Sequence, residues 1–231
     1  MVPEKITPHD AFSDARLVAR YADGPPRIVP GFADMQRMST LLLAERVPDG
    51  GRVLVVGAGG GLELKTFAQA YPTWTFDGVD PSSKMIELAV QTLGTLASRV
   101  QLHEGTIDAA PAGPFDAATC LLTMHFLSLP ERLRTAVEVR RRLKPGSPFV
   151  VVHMSIPAEQ DERTSWMSRY AAFAISSGID AHDAQKSSQA IKAHLNFLSP
   201  QQDESILREA GFSRISLFYV GFTFRGWVAY A

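Results

Sequence analysis

The sequence predicts an α/β protein built around a mostly parallel sheet. Between residues 50 and 154 short apolar runs alternate with segments of helical period, the pattern that builds βαβ units. The runs are near-continuously apolar, as strands covered on both faces are. The first of them also leads straight into five residues, Gly57-Ala58-Gly59-Gly60-Gly61, that no regular element accommodates.

Taken in order, residues 31–46 place Met35, Met38, Leu41, Leu42 and Ala44 at helical spacing ahead of the first strand. The strand candidates are 52–56 (RVLVV), 75–80 (TFDGVD), 99–104 (RVQLHE), 115–122 (FDAATCLL) and 148–154 (PFVVVHM). Helices are expected at 62–71, at 83–97 through Ile86, Ala89, Val90, Leu93 and Leu96, and at 130–143 through Leu133, Ala136, Val137 and Leu143. Each returns the chain for the next parallel strand. After Met154 about forty residues lack strand character, and the segment is read as a helical insert or lid. Ser199-Pro200-Gln201-Gln202 then supplies an N-cap, a proline at the first helical position and a glutamine at the third, with Gly211 as the stop. Runs at 213–219 and 222–230 around Gly221 read as a closing antiparallel hairpin.

All of residues 1–231 are therefore expected to form one domain. It divides into an N-terminal helical cap (1–46), a βαβ core (50–154), the insert (155–198) and a closing helix and hairpin (199–231). Hydrophobic residues make up 45% and charged residues 20%, the balance of a soluble globular chain. Lys plus Arg number 23 against 24 Asp plus Glu, without the basic excess of a nucleic-acid binder. No apolar stretch is long enough to span a bilayer. A lone cysteine, Cys120, excludes an intrachain disulfide and suits a reducing cytoplasm, and MVPEKITPHD lacks the pattern of an export signal.

The glycine turn sits between a strand and a helix, where glycines let backbone N–H groups approach a ligand. The next strand ends in Asp80, 23 residues after Gly57, where a carboxylate can accept both hydroxyls of an adenosine ribose. A nicotinamide dinucleotide and S-adenosylmethionine both use this geometry. No tyrosine has a lysine four residues on, no GK[ST] follows the glycines and no G-x-S-x-G is present. Short-chain dehydrogenase, P-loop and acyl-hydrolase chemistries are thereby disfavoured.

In VLVVGAGGG (53–61), FDGVDPSSKMIELA (76–89), HEGTI (103–107), FDAATCLLTMHFL (115–127) and RRLKPGSPFVV (141–151) the chain resembles the class I S-adenosylmethionine-dependent methyltransferases. The resemblance implies a Rossmann-like, seven-stranded sheet with an antiparallel last strand. It also implies S-adenosylmethionine as cofactor, S-adenosylhomocysteine as product, and a binding set of Gly57, Ala58, Gly59, Asp80, Pro81, Thr106, Ile107, Leu121 and Phe32. In that set Gly57 and Gly59 flank the methionine part, Asp80 holds the ribose, and Thr106 with Ile107 borders the adenine. The acidic residue common two places before the first glycine is Val55 here.

Within that superfamily, RIVPGFADMQRMSTLLLAER (27–46) and LREAGFSRISLFYVGFTFRGWVAYA (207–231) look most like the carboxy-S-adenosyl-methionine synthases of tRNA wobble-uridine modification, which use prephenate. That family holds its extra carboxylate with a tyrosine, where this chain has Phe32, and with an arginine from the insert. Residues 176–198 contain no arginine, only Lys186 and Lys192, and the family's asparagine near the end of the fourth strand is Leu121. A charged hydrogen bond contributes on the order of 1.5–3 kcal/mol, so losing these donors favours plain S-adenosylmethionine as ligand and methyl transfer as reaction. A carboxylated ligand and a catalytically silent cofactor binder stand as alternatives.

Candidate bases are His153, ending the fifth strand, and His125, after the fourth, both at the carboxyl edge where α/β sheets bind ligands. For His125 the competing reading is a packed histidine before Pro130. In the insert Trp166, Tyr170, Phe173 and His194 either wall a pocket for a small-molecule acceptor or pack the insert on the sheet or a second subunit. Arg140, Arg141, Arg142 and Lys144 read as the solvated basic end of a helix, and Asp180, His182 and Asp183 are too local to suggest a metal. No metal and no membrane are expected, and a homodimer stays open.

Overall fold

The computed structural model describes residues 23–157, 159–195 and 197–231. Helices α1 (Pro25–Ile28) and α2 (Phe32–Ala44) precede β1 (Arg52–Val56), α3 (Leu62–Ala70), β2 (Thr75–Asp80), α4 (Ser83–Leu93), β3 (Val100–Glu104) and β4 (Ala117–Leu121). There follow α5 (Leu129–Arg142), β5 (Pro148–Met154), α6 (Gln160–Ser176), α7 (Ala181–His194), α8 (Pro200–Glu209), β6 (Ser213–Gly221) and β7 (Phe224–Tyr230). Among the described residues no helix is long and apolar enough to cross a membrane.

The seven strands form one sheet in the order β3-β2-β1-β4-β5-β7-β6. β1 pairs in parallel with β2 on one side and β4 on the other, Val53 standing opposite Phe76 and Ala117. β7 runs antiparallel to both β5 and β6. The expected sheet and its antiparallel last strand are thus borne out. Because the chain winds outward from β1 to β3 and then restarts at β4, the carboxyl ends of β1 and β4 mark a switch point, where a crevice opens in such sheets.

Alternation along the strands loads two cores. Val53, Val55, Val150 and Val152 pack with Met35 and Leu43 of α2, Phe67 of α3 and Met167 of α6. Leu54, Phe149, Val151 and Trp227 pack with Val139 of α5 and Leu207 of α8 on the opposite face. The helix starts follow the local sequence. Ser199 and Gln202 form the expected capping box on α8, Ser128 and Glu131 form another on α5, and Asp180 accepts from the N–H groups of His182 and Asp183 to begin α7.

In the basic run at the end of α5, Arg140, Arg141 and Lys144 are exposed as expected, and Arg142 alone departs from the solvated role. Arg142 is buried and bonds Glu138, Arg140 Nε donates to Gly211 O at 2.7 Å, and Lys144 Nζ donates to Asp116 at 2.6 Å. Arg140 and Lys144 thus fasten the end of α5 to its surroundings, which spacing along one helix cannot reveal, while the Arg142 bond to Glu138 stays within the helix. The hairpin also differs in detail: β6 continues through Gly221, and the turn falls at Phe222 and Thr223.

Candidate functional site: the glycine turn at the switch point

Gly57, Gly59 and Gly61 have φ of +74°, +49° and +79°, the left-handed region that residues with a Cβ adopt at a cost. At Gly57 a second constraint applies, since a Cβ there would stand 2.1 Å from Thr123 Oγ1, just beyond β4. The turn therefore lies directly against the end of β4. The N–H groups of Gly57 and Ala58 both donate to Val79 O at 2.9 Å, fixing the turn to β2.

Asp80 is buried at the end of β2, and its carboxylate organises the turn. Gly59 N–H donates to Oδ2 at 2.9 Å and Ser82 N–H donates to Oδ1 at 3.0 Å. Burial raises the Asp80 pKa from its ordinary value, and the two backbone N–H groups oppose that shift. Each carboxylate oxygen accepts two hydrogen bonds, so acceptor capacity remains for a ribose diol. Pro81 lies exposed beside it. Gly105 N–H donates to Asp80 O at 2.9 Å, bringing the end of β3 alongside, where Thr106 is exposed and Ile107 is buried.

On the β4 side the glycine turn faces α1 and α2 across a narrow cleft. It is lined by Pro25, Phe32, Met35, Gln36, Gly57, Ala58, Leu62, Glu63, Leu121 and Leu122. Leu122 adopts φ +58°, a left-handed conformation for a branched residue and a local strain of the kind found beside ligand sites. The cavity enclosed is about 20 Å³, because α2 lies close over the turn.

Glu63 in this cleft was missed by sequence reasoning. It is 7% exposed, and its Oε1 accepts from Thr119 Oγ1 of β4 at 2.8 Å. Burial, with the nearby Asp80 adding, pushes its pKa up to about 8 despite the Thr119 hydrogen bond. An acid in the first turn of a helix is commonplace because the helix dipole favours it, so nothing in the sequence set Glu63 apart.

The two histidines lie elsewhere. His153 alternates onto the α5 and α8 face, where its Nε2 stands 3.0 Å from Asp203 Oδ1 without good hydrogen-bond alignment, and its ring lies 5.5 Å from that of Trp227. Arg132 Nη1 donates to the same Asp203 oxygen at 2.9 Å. Burial pushes the Asp203 pKa up, but His153, Ser155 and Arg132 together hold it below its ordinary value. His125 is buried, its Nδ1 accepts from Met154 N–H at 3.3 Å, and burial followed by the charges of His153 and Arg132 holds its pKa well below the usual histidine range. Neither ring lines the cleft or the cavity described next.

A second cavity, of about 280 Å³, lies between α1 and the insert helices α6 and α7. Tyr170 lines it with Ile28, Ala174, Ile179, Ala184, Ser187, Ala190 and Ile191. Trp166 is instead packed against Arg169 and Arg225 at 4.3 and 5.7 Å, and Phe173 meets Phe222 edge-on at 6.2 Å. His194 closes α7, and its side chain lies outside the described residues.

Residues 53–146 match the methyltransferase domain family. The chain is 27% identical over 225 residues to the carboxy-S-adenosyl-L-methionine synthase of Chromohalobacter salexigens, covering 94% of this chain and 82% of that protein. Among solved structures it superposes on an O-methyltransferase family protein from Burkholderia thailandensis with a TM-score of 0.73 at 14% identity, covering 98% of this chain and 63% of that one. Human N-acetylserotonin methyltransferase in complex with SAM gives a TM-score of 0.64 at 12% identity, with 100% and 59% coverage. This chain spans less than two thirds of the length of those two solved proteins, and at such identities the likeness speaks for the fold. The resemblance read from the sequence is borne out by these matches.

Proposed function

We propose that this chain, which carries a methyltransferase domain on the fold of S-adenosylmethionine-dependent methyltransferases, binds S-adenosylmethionine at the glycine turn and methylates a small molecule. The observation that carries the reading is the buried Asp80 carboxylate. It braces the turn through Gly59 at the switch point and keeps lone pairs free for a ribose.

In this reading Gly57, Ala58 and Gly59 bring backbone against the ligand, Pro81, Thr106 and Ile107 border the adenine side, and Phe32 and Leu121 wall the opposite side. S-adenosylmethionine supplies a methyl group on a positively charged sulfur, which departs as a neutral thioether. The side chains have to align the acceptor with that carbon and exclude water, and the apolar walls from Phe32, Leu121 and Leu122 serve both ends. His125 and His153 serve as buried supports for the ends of β4 and β5, and a neutral amine or an anionic acceptor needs no side-chain base. The cavity under the insert, apolar apart from Tyr170 and Ser187, suits a small and largely apolar acceptor.

Similarity across 94% of the chain to a carboxy-S-adenosyl-L-methionine synthase favours a second reading, with a carboxylated cofactor as product. Phe32 borders the cleft without a donor, and among the described residues that line the cleft there is no cation to pair an added carboxylate. Mass spectrometry of the small molecule released on gentle denaturation distinguishes the two, backed by titration of both ligands into the native protein and Phe32→Tyr. S-adenosylmethionine or its demethylated product is expected in the native protein. Tighter binding of the carboxylated analogue would overturn the methyl-transfer reading. Transfer of radiolabelled methyl to any acceptor separates an enzyme from a silent binder.

A further inference from the structure

Resting on the cofactor reading above, we propose that Glu63 is the anion that receives the charged amino group of the cofactor's methionine arm. Asp80 ends β2, so a ribose held there leaves the arm to extend across the end of β1 toward β4. An arm carrying an ammonium needs an anion at its far end. In β1 the position two before Gly57 is Val55, fully buried in the apolar core, and it offers none.

Glu63 meets the requirement from another element. It enters the cleft from the first turn of α3, beside Gly57, Ala58 and Leu121, and is tied to β4 through Thr119. Among the described residues Thr119 is the one hydrogen-bond partner of this carboxyl, and no cation pairs with it. The ionisable groups whose charge couples to it are Asp80 across the turn and Cys120 behind it, both acids. A positive charge is therefore what this environment lacks, and a buried carboxylate without one is costly.

The proton balance follows from the same surroundings. With its pKa near 8, Glu63 is mostly protonated at pH 7 in the unliganded protein. Arrival of an ammonium favours the carboxylate, so the carboxyl proton passes to solvent while an ammonium N–H donates to the oxygen it leaves.

The test uses two ligands, S-adenosylhomocysteine, which carries the amino-acid arm, and 5′-methylthioadenosine, which lacks it. Both are titrated calorimetrically into the native protein and Glu63→Gln at pH 7, in two buffers of unlike ionisation enthalpy. Gln keeps an acceptor for Thr119. The substitution should weaken S-adenosylhomocysteine by about tenfold to a hundredfold. Binding of 5′-methylthioadenosine should stay unchanged, which also reports that the variant is folded. The native protein should release close to one proton per S-adenosylhomocysteine bound, and E63Q none. Unchanged S-adenosylhomocysteine affinity in E63Q, or equal losses for both ligands, overturns the proposal. Failure of the native protein to bind either ligand overturns the cofactor reading, and the assignment of Glu63 with it.

Discussion

Asp80 and Glu63 are both buried carboxyls at the glycine turn, yet backbone N–H groups hold one and a single hydroxyl holds the other. That difference sets opposite expectations for their removal. Asp80→Ala leaves the N–H groups of Gly59 and Ser82 without their acceptor, which should lower stability by about 2–4 kcal/mol in urea unfolding and weaken S-adenosylmethionine binding more than tenfold. Glu63→Gln should instead stabilise the unliganded protein. A carboxyl with a raised folded-state pKa keeps its full contribution below its unfolded value of 4.5 and loses it as pH rises toward about 8. At pH 7 the loss is on the order of 3 kcal/mol, since each pKa unit is worth about 1.4 kcal/mol. The stability gap between E63Q and the native protein should thus vanish near pH 4 and widen up to pH 8. A gap independent of pH would show that Glu63 is not buried in its neutral form. Asp80 was legible in the sequence because its distance from the glycines is set by one helix and one strand. Glu63 was not, since only folding shows that its side chain turns inward to Thr119 rather than out to water.

At the level of elements, α2 decides access to the cleft. Phe32, Met35 and Gln36 lie over the glycine turn, and Tyr219 of β6 donates to Pro30 O at 2.5 Å, holding the segment before α2 in place. A cavity of about 20 Å³ is small for the methionine arm that the proposed cofactor would lay there, so α1 and α2 are expected to shift outward on binding and then pack on it. Hydrogen exchange across residues 25–44 should accordingly slow when S-adenosylhomocysteine binds, while exchange in β4 and β5 stays as it was. Unaltered exchange in that segment under saturating ligand would place entry elsewhere. The helix itself was readable from the spacing of Met35, Met38 and Leu42. Its position over the turn was not, because periodicity names an apolar face without naming what the face covers. The insert shows the same limit: its helical character was legible, but whether Trp166 or Tyr170 borders a cavity depends on how α6 meets α7 and the hairpin.

For the whole molecule, the cluster of His125, His153, Arg132 and Asp203 ties β5, α5 and α8 together across the face opposite the cleft. Asp203 has a folded-state pKa below its ordinary value, so its contribution is present above that value and lost as pH falls through the depressed one. His125 has the same sign, and its loss begins as pH drops below about 6.5. The stability contributed by this cluster should therefore decline on the acid side from about pH 6.5, opposite in sign to the Glu63 contribution, and His125→Gln, which keeps an acceptor for Met154 N–H, should remove the upper part of that decline relative to the native protein in a series of urea titrations. By itself the sequence determined the α/β class, nearly every element, the capping box of α8, the glycine turn and Asp80, because these depend on periodicity and spacing within one or two elements. The tertiary structure alone decided which carboxyl enters the cleft, which histidines turn away from it and what α2 covers, because strand alternation and helix packing assign each side chain to a face only once the sheet is assembled.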